Sequence, residues 1–569
     1  MLLGLLCSVL FVITTITNVQ GFTVWPMPEQ VSTGTFIGLI PNYKSFKFGL
    51  NQQVSVSKGD YEIMYEAFAR YSEIMFFDQT VDSRTVSCPQ SYSNHEVRCI
   101  DSASITILEP SKDVAPSPFF EMDESYALSI EDSSSTIQII AKTVWGALRS
   151  LESLSQLVQR REELNGASFE KNFYAFVEYL PIRIKDRPRF PWRGFLLDTS
   201  RHFYTLRKIR QIIDSLTYMK MNVFHWHIVD SQSFPMVVQA YPSMSQKGAF
   251  HKKAVYTPND IRAIVDYGRK RGIRVVPEVD MPGHSASWGF GIPNITANCP
   301  KVSEKNINNV ALNPTNPQTY EVMKAVIDQM MQSGFSDQYY HFGGDELVTD
   351  CWLSDPSISS FMKEKGITNP VQLLFLFEDQ LRRVYLPLNK TMICWEELAL
   401  EYGYKVPQDT IVQVWKDRNT LPLVVKKGYQ AILSGGWYLD QQIPGNQTFY
   451  CEFFIYLTLT LLAWGDTWIN FYENDPTEGF GMTEQEKKMV MGGEVCNWSE
   501  QVDDANFDSR VFPRTLAVAE RLWSPSSVTD IPSATLRMEN TRCHIFVRRG
   551  IGAGPIIPGF CEATFDNFG

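Results

Sequence analysis

The sequence predicts an α/β fold: a (β/α)8 barrel preceded by a smaller α+β domain. Three observations point there. Eight short, apolar, strand-like runs succeed one another between Gly194 and Val495. Helical segments separate most of them, which is the rhythm of a parallel sheet closed on itself. Ahead of them the pattern differs, and a Pro- and Arg-rich segment, residues 181–193, divides the two regions. At 569 residues the chain is too long for one ordinary core. Its 44% hydrophobic and 20% charged residues describe a globular protein.

The first element is residues 1–21, where an apolar run fades into small and polar residues. The strictly apolar part ends near Ile13, short of the roughly 20 residues a bilayer span needs. The segment therefore reads as a cleaved secretory signal, although it lacks a basic residue near its start. Residues 22–180 mix strands and helices. Tyr126–Ile130 and Thr136–Ile140 alternate around an Asp/Ser turn and predict a hairpin. Trp145–Val158 carries apolar residues at helical spacing. Residues 181–193 are expected to be a linker and residues 194–569 a barrel with a C-terminal tail.

The expected barrel strands begin with Gly194–Asp198, Asn222–Val229, Ile273–Glu278 and Tyr339–Phe342. They continue with Thr391–Trp395, Thr410–Trp415, Ala431–Ser434 and Met491–Val495. Expected helices between them include Leu206–Met219, Pro258–Arg271, Pro317–Gln332 and Val371–Val384. One stretch resists this scheme. Residues 449–464 are strongly apolar, lie between polar loops and contain Glu452. They read as a buried insertion, a partner patch or a flaw in the coding sequence.

In such a barrel the functional site forms where the strands end. Polar and aromatic residues gather there. Arg201 follows the first strand, Asp230 the second, Asp280 and His284 the third, and Asp345 and Glu346 the fourth. Trp395 and Trp415 end the fifth and sixth. Trp437, Tyr438 and Asp440 follow the seventh, and Trp498 and Glu500 the eighth. Each has an ordinary explanation alone, such as a surface ion pair or a core tryptophan. Their recurrence at nearly every strand end does not.

The adjacent carboxylates Asp345 and Glu346 follow two glycines, whose turn swings both towards one cleft. Two carboxylates held close repel, so one is pushed towards its protonated form and can serve as a general acid. Tryptophan faces suit the apolar faces of pyranose rings, and Asp, Glu and Arg suit their hydroxyls. No Cys/His cluster shows metal-ligand spacing and no glycine-rich phosphate loop occurs, so no metal and no cofactor are expected. His225 and His227 read as structural. The net charge of −11 offers no basic surplus for phosphates and argues against a nucleic-acid partner.

The matching motifs are RGFLLDTSRHF (193–203), NVFHWHIVDSQSFP (222–235), GIRVVPEVDMPGH (272–284), HFGGDE (341–346), WYLD (437–440) and GGEVCNWSE (492–500). In these the chain resembles the glycoside hydrolase family 20 β-N-acetylhexosaminidases, most of all the animal lysosomal α/β-subunit type. The resemblance implies substrate-assisted retaining hydrolysis of a terminal GlcNAc or GalNAc, an exception to the two-carboxylate scheme. It implies Glu346 as general acid and then base, Asp345 as partner of the acetamido N–H, and Tyr438 as partner of the acetamido oxygen. Trp395, Trp415 and Trp498 would wall the sugar pocket. Arg201, Asp440 and Glu500 would bind its outer hydroxyls, and Asp230 and His284 would stand behind Glu346. A sugar-binding protein without turnover is the rival, but it has no need of a general acid.

The same resemblance pairs Cys299 with Cys351 and Cys543 with Cys561. Cys88–Cys99 is a local expectation from a shared loop. Cys394 and Cys496 read as buried thiols. Sequons at Asn294, Asn389 and Asn446 are expected to carry glycans, whereas Asn497, beside Trp498, is expected to stay bare. These features agree with the secretory pathway, ending in the lysosome or outside the cell, and a homodimer is expected. The chain departs from the family at Asp230-Ser231, where two aspartates are common. It departs again at Asp440-Gln441, where subunits that accept anionic sugars carry Asn-Arg. A carboxylate there should repel a 6-sulfate. No match occurs to the loop that serves ganglioside presentation.

Overall fold

The computed structural model describes residues 22–40, 45–51, 56–76, 91–92, 95–164, 171–440 and 467–561. Cys88, Asn446, the expected signal and the apolar stretch 449–464 lie outside the described residues. Among the described residues no helix is long and apolar enough to cross a membrane.

The N-terminal domain holds a six-stranded sheet and a five-stranded sheet. Tyr126–Ile130 and Thr136–Ala141 form the expected antiparallel hairpin. Ile137, Ile139 and Ala141 point inward while their neighbours face out, the period of a half-buried strand. The expected helix runs Val144–Leu157, capped by the Thr143 hydroxyl, which accepts from Trp145 N at 3.1 Å. Every residue of this helix is buried, because it lies between the sheet and the barrel. Its Arg149 reaches Gly272 O on the barrel at 2.9 Å.

The segment 181–193 is not a simple linker. Ile182–Asp186 pairs antiparallel with Tyr126–Ile130 as a strand of the six-stranded sheet. Ile182, Ile184 and Asp186 are buried while Arg183 and Lys185 face out. That alternation is masked in the sequence by its prolines and arginines. The first barrel strand also starts at Trp192 rather than Gly194. Buried charge joins the two parts: Glu124 accepts from Arg149 at 2.8 Å and from Arg193 at 2.7 Å.

All eight expected strands close into a parallel TIM barrel, the first pairing with both the second and the eighth. They are Trp192–Asp198, Val223–Val229, Arg274–Val279, Tyr339–His341, Thr391–Trp395, Ile411–Val414, Gln430–Leu433 and Val490–Asn497. Helix Pro317–Gln332 starts where Asn316 caps it and a proline occupies its first turn. The barrel floor takes one side chain from each strand: Trp192, Val223, Val276, Tyr339, Ile393, Ile411, Ile432 and Met491. Above this apolar layer the interior turns polar and leads to the strand ends. Cys299–Cys351 and Cys543–Cys561 are bonded, as the resemblance implied. Cys394 and Cys496 are buried thiols.

Helix Val371–Tyr385 packs Leu374, Phe377 and Leu381 inward and buries Glu378 with them at 3% exposure. One Glu378 carboxyl oxygen has no hydrogen-bond partner among the described residues. Burial, helped by Asp379, pushes this carboxyl up to about 8. A carboxyl raised on folding stabilises the fold below its unfolded value and loses that stability as pH rises through its folded value. We expect Glu378 to cost on the order of 3 kcal/mol between pH 5 and pH 8. Glu378→Gln should therefore flatten the pH dependence of the thermal midpoint over that range. Identical slopes for the two proteins would contradict the assignment.

Candidate active site

The fourth barrel strand is only three residues long, and its end is shaped by steric demands. Phe342 leads into Gly343 (φ 70°) and Gly344 (φ 92°), a region that favours glycine. A Cβ at Gly343 would lie 1.6 Å from Asp280 Oδ1, and one at Gly344 2.5 Å from the Leu398 side chain. Gly344 N donates to Asp280 Oδ1 at 3.1 Å. Glu346 itself sits at φ 47°, uncommon for a residue with a side chain. This turn brings Asp345 and Glu346 to one cavity, as the two glycines suggested.

The cavity has a volume of about 360 Å³. Arg201, Asp230, His284, Asp345, Glu346 and Trp415 line it together with Tyr438, Asp440, Trp498 and Glu500. Of the residues expected at the strand ends, Trp437 and Trp395 stand back from the surface. Trp437 is buried and donates to Phe471 O at 3.0 Å. Trp395 is 1% exposed and lies behind Trp415 and Trp498, with ring centroids at 6.5 and 6.0 Å. It supports the wall rather than forming it. Tyr438 stacks on Trp415 at 5.8 Å and 24°.

His284 lies between two carboxylates. Its Nδ1 is 3.2 Å from Asp230 Oδ1 and its Nε2 3.3 Å from Glu346 Oε2. Burial opposes its charge, but Asp230 and Asp345 outweigh burial and hold the imidazole well above its usual range. Arg201 fixes Asp230 from the other side at 2.9 Å, reaches Asp198 at 3.3 Å and lies 5.1 Å from the Trp498 ring centre. Asp230 is held far below the carboxylate range: Arg201 and His284 overcome the penalty of its burial.

The two adjacent carboxylates do not divide their protons as the sequence suggested. Glu346 is lowered, first by its hydrogen bond with His284, against a smaller effect of burial. The raised pair is Asp345 and Asp280. Burial and the charge of Asp345 push Asp280 well above its usual value, and burial also raises Asp345. Like charges held close resist joint ionisation, so the two buried carboxyls compete for a proton. Asp345 Oδ1 is buried and has no hydrogen-bond partner among the described residues.

Sequence reasoning placed Asp280 at the third strand's end without giving it a role. It missed Asn308 and Gln501, which also line the cavity. Asn308 sits in a single 3-10 turn, Ile307–Asn309, too short to leave a periodic signal in the sequence. It accepts from Gln232 Nε2 at 2.8 Å, and Gln232 in turn accepts from Arg201 Nε at 3.0 Å. Glu397 was missed too. It accepts from Trp415 Nε1 at 3.0 Å and is pushed up to about 7 by burial and Asp345. Asn294 and Asn389 are exposed, whereas Asn497 is fully buried and donates to Ser499 Oγ at 3.3 Å.

Comparison with known proteins agrees with this picture. Residues 190–526 match the catalytic domain of glycosyl hydrolase family 20, and residues 24–157 match a β-acetyl hexosaminidase-like domain. The chain is 36% identical over 549 residues to β-hexosaminidase subunit A1 of Dictyostelium discoideum, covering 96% of this chain and 92% of that one. It is 35% identical over 551 residues to the mouse (Mus musculus) β-hexosaminidase subunit alpha, covering 95% and 96%. Among solved structures, a Flavobacterium johnsoniae chitobiase superposes with a TM-score of 0.72 at 29% identity, over 92% of this chain and 72% of that one. A Vibrio harveyi exo β-N-acetylglucosaminidase, solved in complex with N-acetylglucosamine, shares the fold at a TM-score of 0.72 and 20% identity, over 94% and 78%. The chain belongs to glycosyl hydrolase family 20 and is a glycoside hydrolase of the β-N-acetylhexosaminidase type.

Proposed function

We propose that the cavity takes a terminal non-reducing N-acetylhexosamine and that the sugar's own acetamido group displaces the leaving group. The observation that carries this reading is Asp345 Oδ1. It is buried and accepts no hydrogen bond from an N–H or hydroxyl group among the described residues, beside Glu346 and in the same cavity as Tyr438. Buried acceptors are normally satisfied. An acetamido N–H supplies the missing donor, and the Asp345 charge balances the positive oxazolinium as it forms. Tyr438 donates to the acetamido oxygen and directs it at the anomeric carbon.

Glu346 gives its proton to the glycosidic oxygen and then takes one from the water that opens the oxazolinium. Its side chain is half exposed. A sugar that covers it removes water and raises its proton affinity, so binding itself loads the acid held low by His284. Trp415 and Trp498 pack on the ring, and Arg201, Asp440 and Glu500 bind its outer hydroxyls. Asp230 and His284 orient Glu346. A lectin without turnover has no use for the carboxylate pair or for the imidazolium behind it.

The carboxylates of Asp440 and Glu500 at the cavity favour a neutral terminal GlcNAc or GalNAc, on a chitooligosaccharide, an N-glycan or a glycolipid. A homodimer is our further reading, supported by the subunit names of the relatives, and light scattering that reads a monomer would remove it. Lysosomal or extracellular delivery fits the disulfides and the exposed sequons at Asn294 and Asn389. Activity confined to the cytosolic fraction would contradict it.

Two outcomes test the reading of the site. Glu346→Gln keeps the shape of the side chain but has no proton to give. It should lower kcat on GlcNAc disaccharides by about 10²–10⁴-fold with the fold intact. Near wild-type hydrolysis would remove Glu346 from the acid role. On paired aryl substrates, wild-type protein should turn over neutral GlcNAc faster than its 6-sulfate, and Asp440→Asn should narrow the gap. A wild type that prefers the sulfate would overturn the neutral-substrate reading.

A further inference from the structure

Beneath the cavity the barrel is filled by a charged layer that the sugar does not touch. Glu278, from the third strand, faces His227 Nδ1 at 2.7 Å, His341 Nδ1 at 3.0 Å, His225 Nε2 at 3.1 Å and Trp395 Nε1 at 3.0 Å. Glu494, from the eighth strand, faces His225 Nδ1 at 2.6 Å and accepts from Trp192 and Gln413. A Cβ at Gly194 would lie 2.3 Å from Glu494, so the bare glycine leaves this carboxylate its room. His225, His227, Glu278, His341 and Glu494 are all buried.

His227 links this layer to the site above. Its second nitrogen, Nε2, is 2.8 Å from Asp230 Oδ2. Asp230 is the carboxylate that Arg201 and His284 also share, and His284 is the group beside Glu346. A neutral imidazole has one N–H and one lone pair. A lone pair set against a carboxylate oxygen at hydrogen-bond distance is repelled. Against two ionised carboxylates, 2.7 and 2.8 Å from its two nitrogens, His227 is satisfied only when both nitrogens carry protons. Its ring also meets Trp498 edge-on, with centroids 4.9 Å apart at 79°.

We propose that His227 is a positioning residue: a fixed cation between Glu278 and Asp230 that keeps Asp230 ionised and turned to His284, and so sets how tightly Glu346 holds its proton. The groups that face His227 are Glu278 from the third strand, Asp230 from its own strand's end and the uncharged Trp498 from the eighth. Arg201 and His284 face Asp230, and His225 and His341 face Glu278. Burial protects this chain of charges from screening by salt. Burial opposes the His227 charge, but Glu278 and Asp230 outweigh it and hold the imidazole well above its usual range.

The inference rests on Glu346 as the acid and base of the reaction. The test uses full-length secreted protein with His227→Gln and Glu278→Gln, read as kcat, KM and the pH profile of kcat on an aryl N-acetylglucosaminide. When the cation at 227 is lost, a proton on Asp230 makes up the charge. His284 then loses its partner, and Glu346 loses the cation that holds it low. For His227→Gln we expect kcat to fall about tenfold or more with KM changed less than about threefold. Both limbs of its pH profile should move to higher pH. Glu278→Gln should likewise lower kcat more than it changes KM.

A folded His227→Gln that binds GlcNAc normally and keeps the wild-type kcat and pH profile would overturn the proposal. Where neither variant is secreted folded, histidine-selective ¹⁵N NMR of the wild type decides. The proposal requires histidines that keep both ring protons at pH 8, and a spectrum with every histidine neutral there would refute it. Unimpaired turnover by Glu346→Gln would instead sink the acid–base reading itself, whatever the variants at 227 and 278 do.

Discussion

The placement of His284 between Asp230 and Glu346, which favours the charged form of the imidazole, is the interaction on which the rest of the site depends. An isolated imidazolium in a buried position is expensive, so its charge has to be met on both sides. Asp230 meets it from behind, and Asp230 in turn needs Arg201 and His227 to remain ionised. Glu346 meets it from the cavity side. The need to balance each charge in this chain explains why so much of the barrel interior above the apolar floor is ionic. Removing one partner from such a chain leaves an uncompensated buried charge, which costs more than the contact is worth.

The same arrangement separates the duties of two carboxylates that are neighbours in sequence. Asp345 and Asp280 are both raised by burial inside the wall, while Glu346 turns out to the cavity beside His284, which lowers it. Glycine at 343 is what lets Asp280 approach this closely, since any Cβ would occupy the position of its carboxyl oxygen. In the proposed reaction this leaves Glu346 to face the leaving group and Asp345 to face the acetamido group. No further carboxylate nucleophile is needed.

Much of this was legible in the chain. The barrel strands are buried on both faces and read as short continuous apolar runs, which polar turns separate cleanly. The site residues were legible because the fold places them all at strand ends, where a tryptophan or a charge stands out from the run before it. The strand Ile182–Asp186 was hidden because its outward positions are Arg and Lys within a proline-rich setting. The charged layer was hidden for another reason. His225, Glu278, His341, Gln413 and Glu494 come one from each of five strands, and only the closed register brings them together. Asn308 lies in a three-residue 3-10 turn, too short for any periodicity to mark. The proton balance of Asp345 and Glu346 was misread because adjacency in sequence said nothing of Asp280 or His284.

In the proposed reaction the acetamido group acts as nucleophile with Asp345 as its partner. The most direct measurement is inhibition by a thiazoline that mimics the cyclic intermediate, compared with GlcNAc, on the wild type and on Asp345→Asn. Mimics of high-energy species bind at least about 10²-fold tighter than ground-state ligands. The account predicts an advantage of that order for the wild type and its near disappearance in the variant. A thiazoline that binds the wild type no better than GlcNAc, or equally well to both proteins, would contradict it.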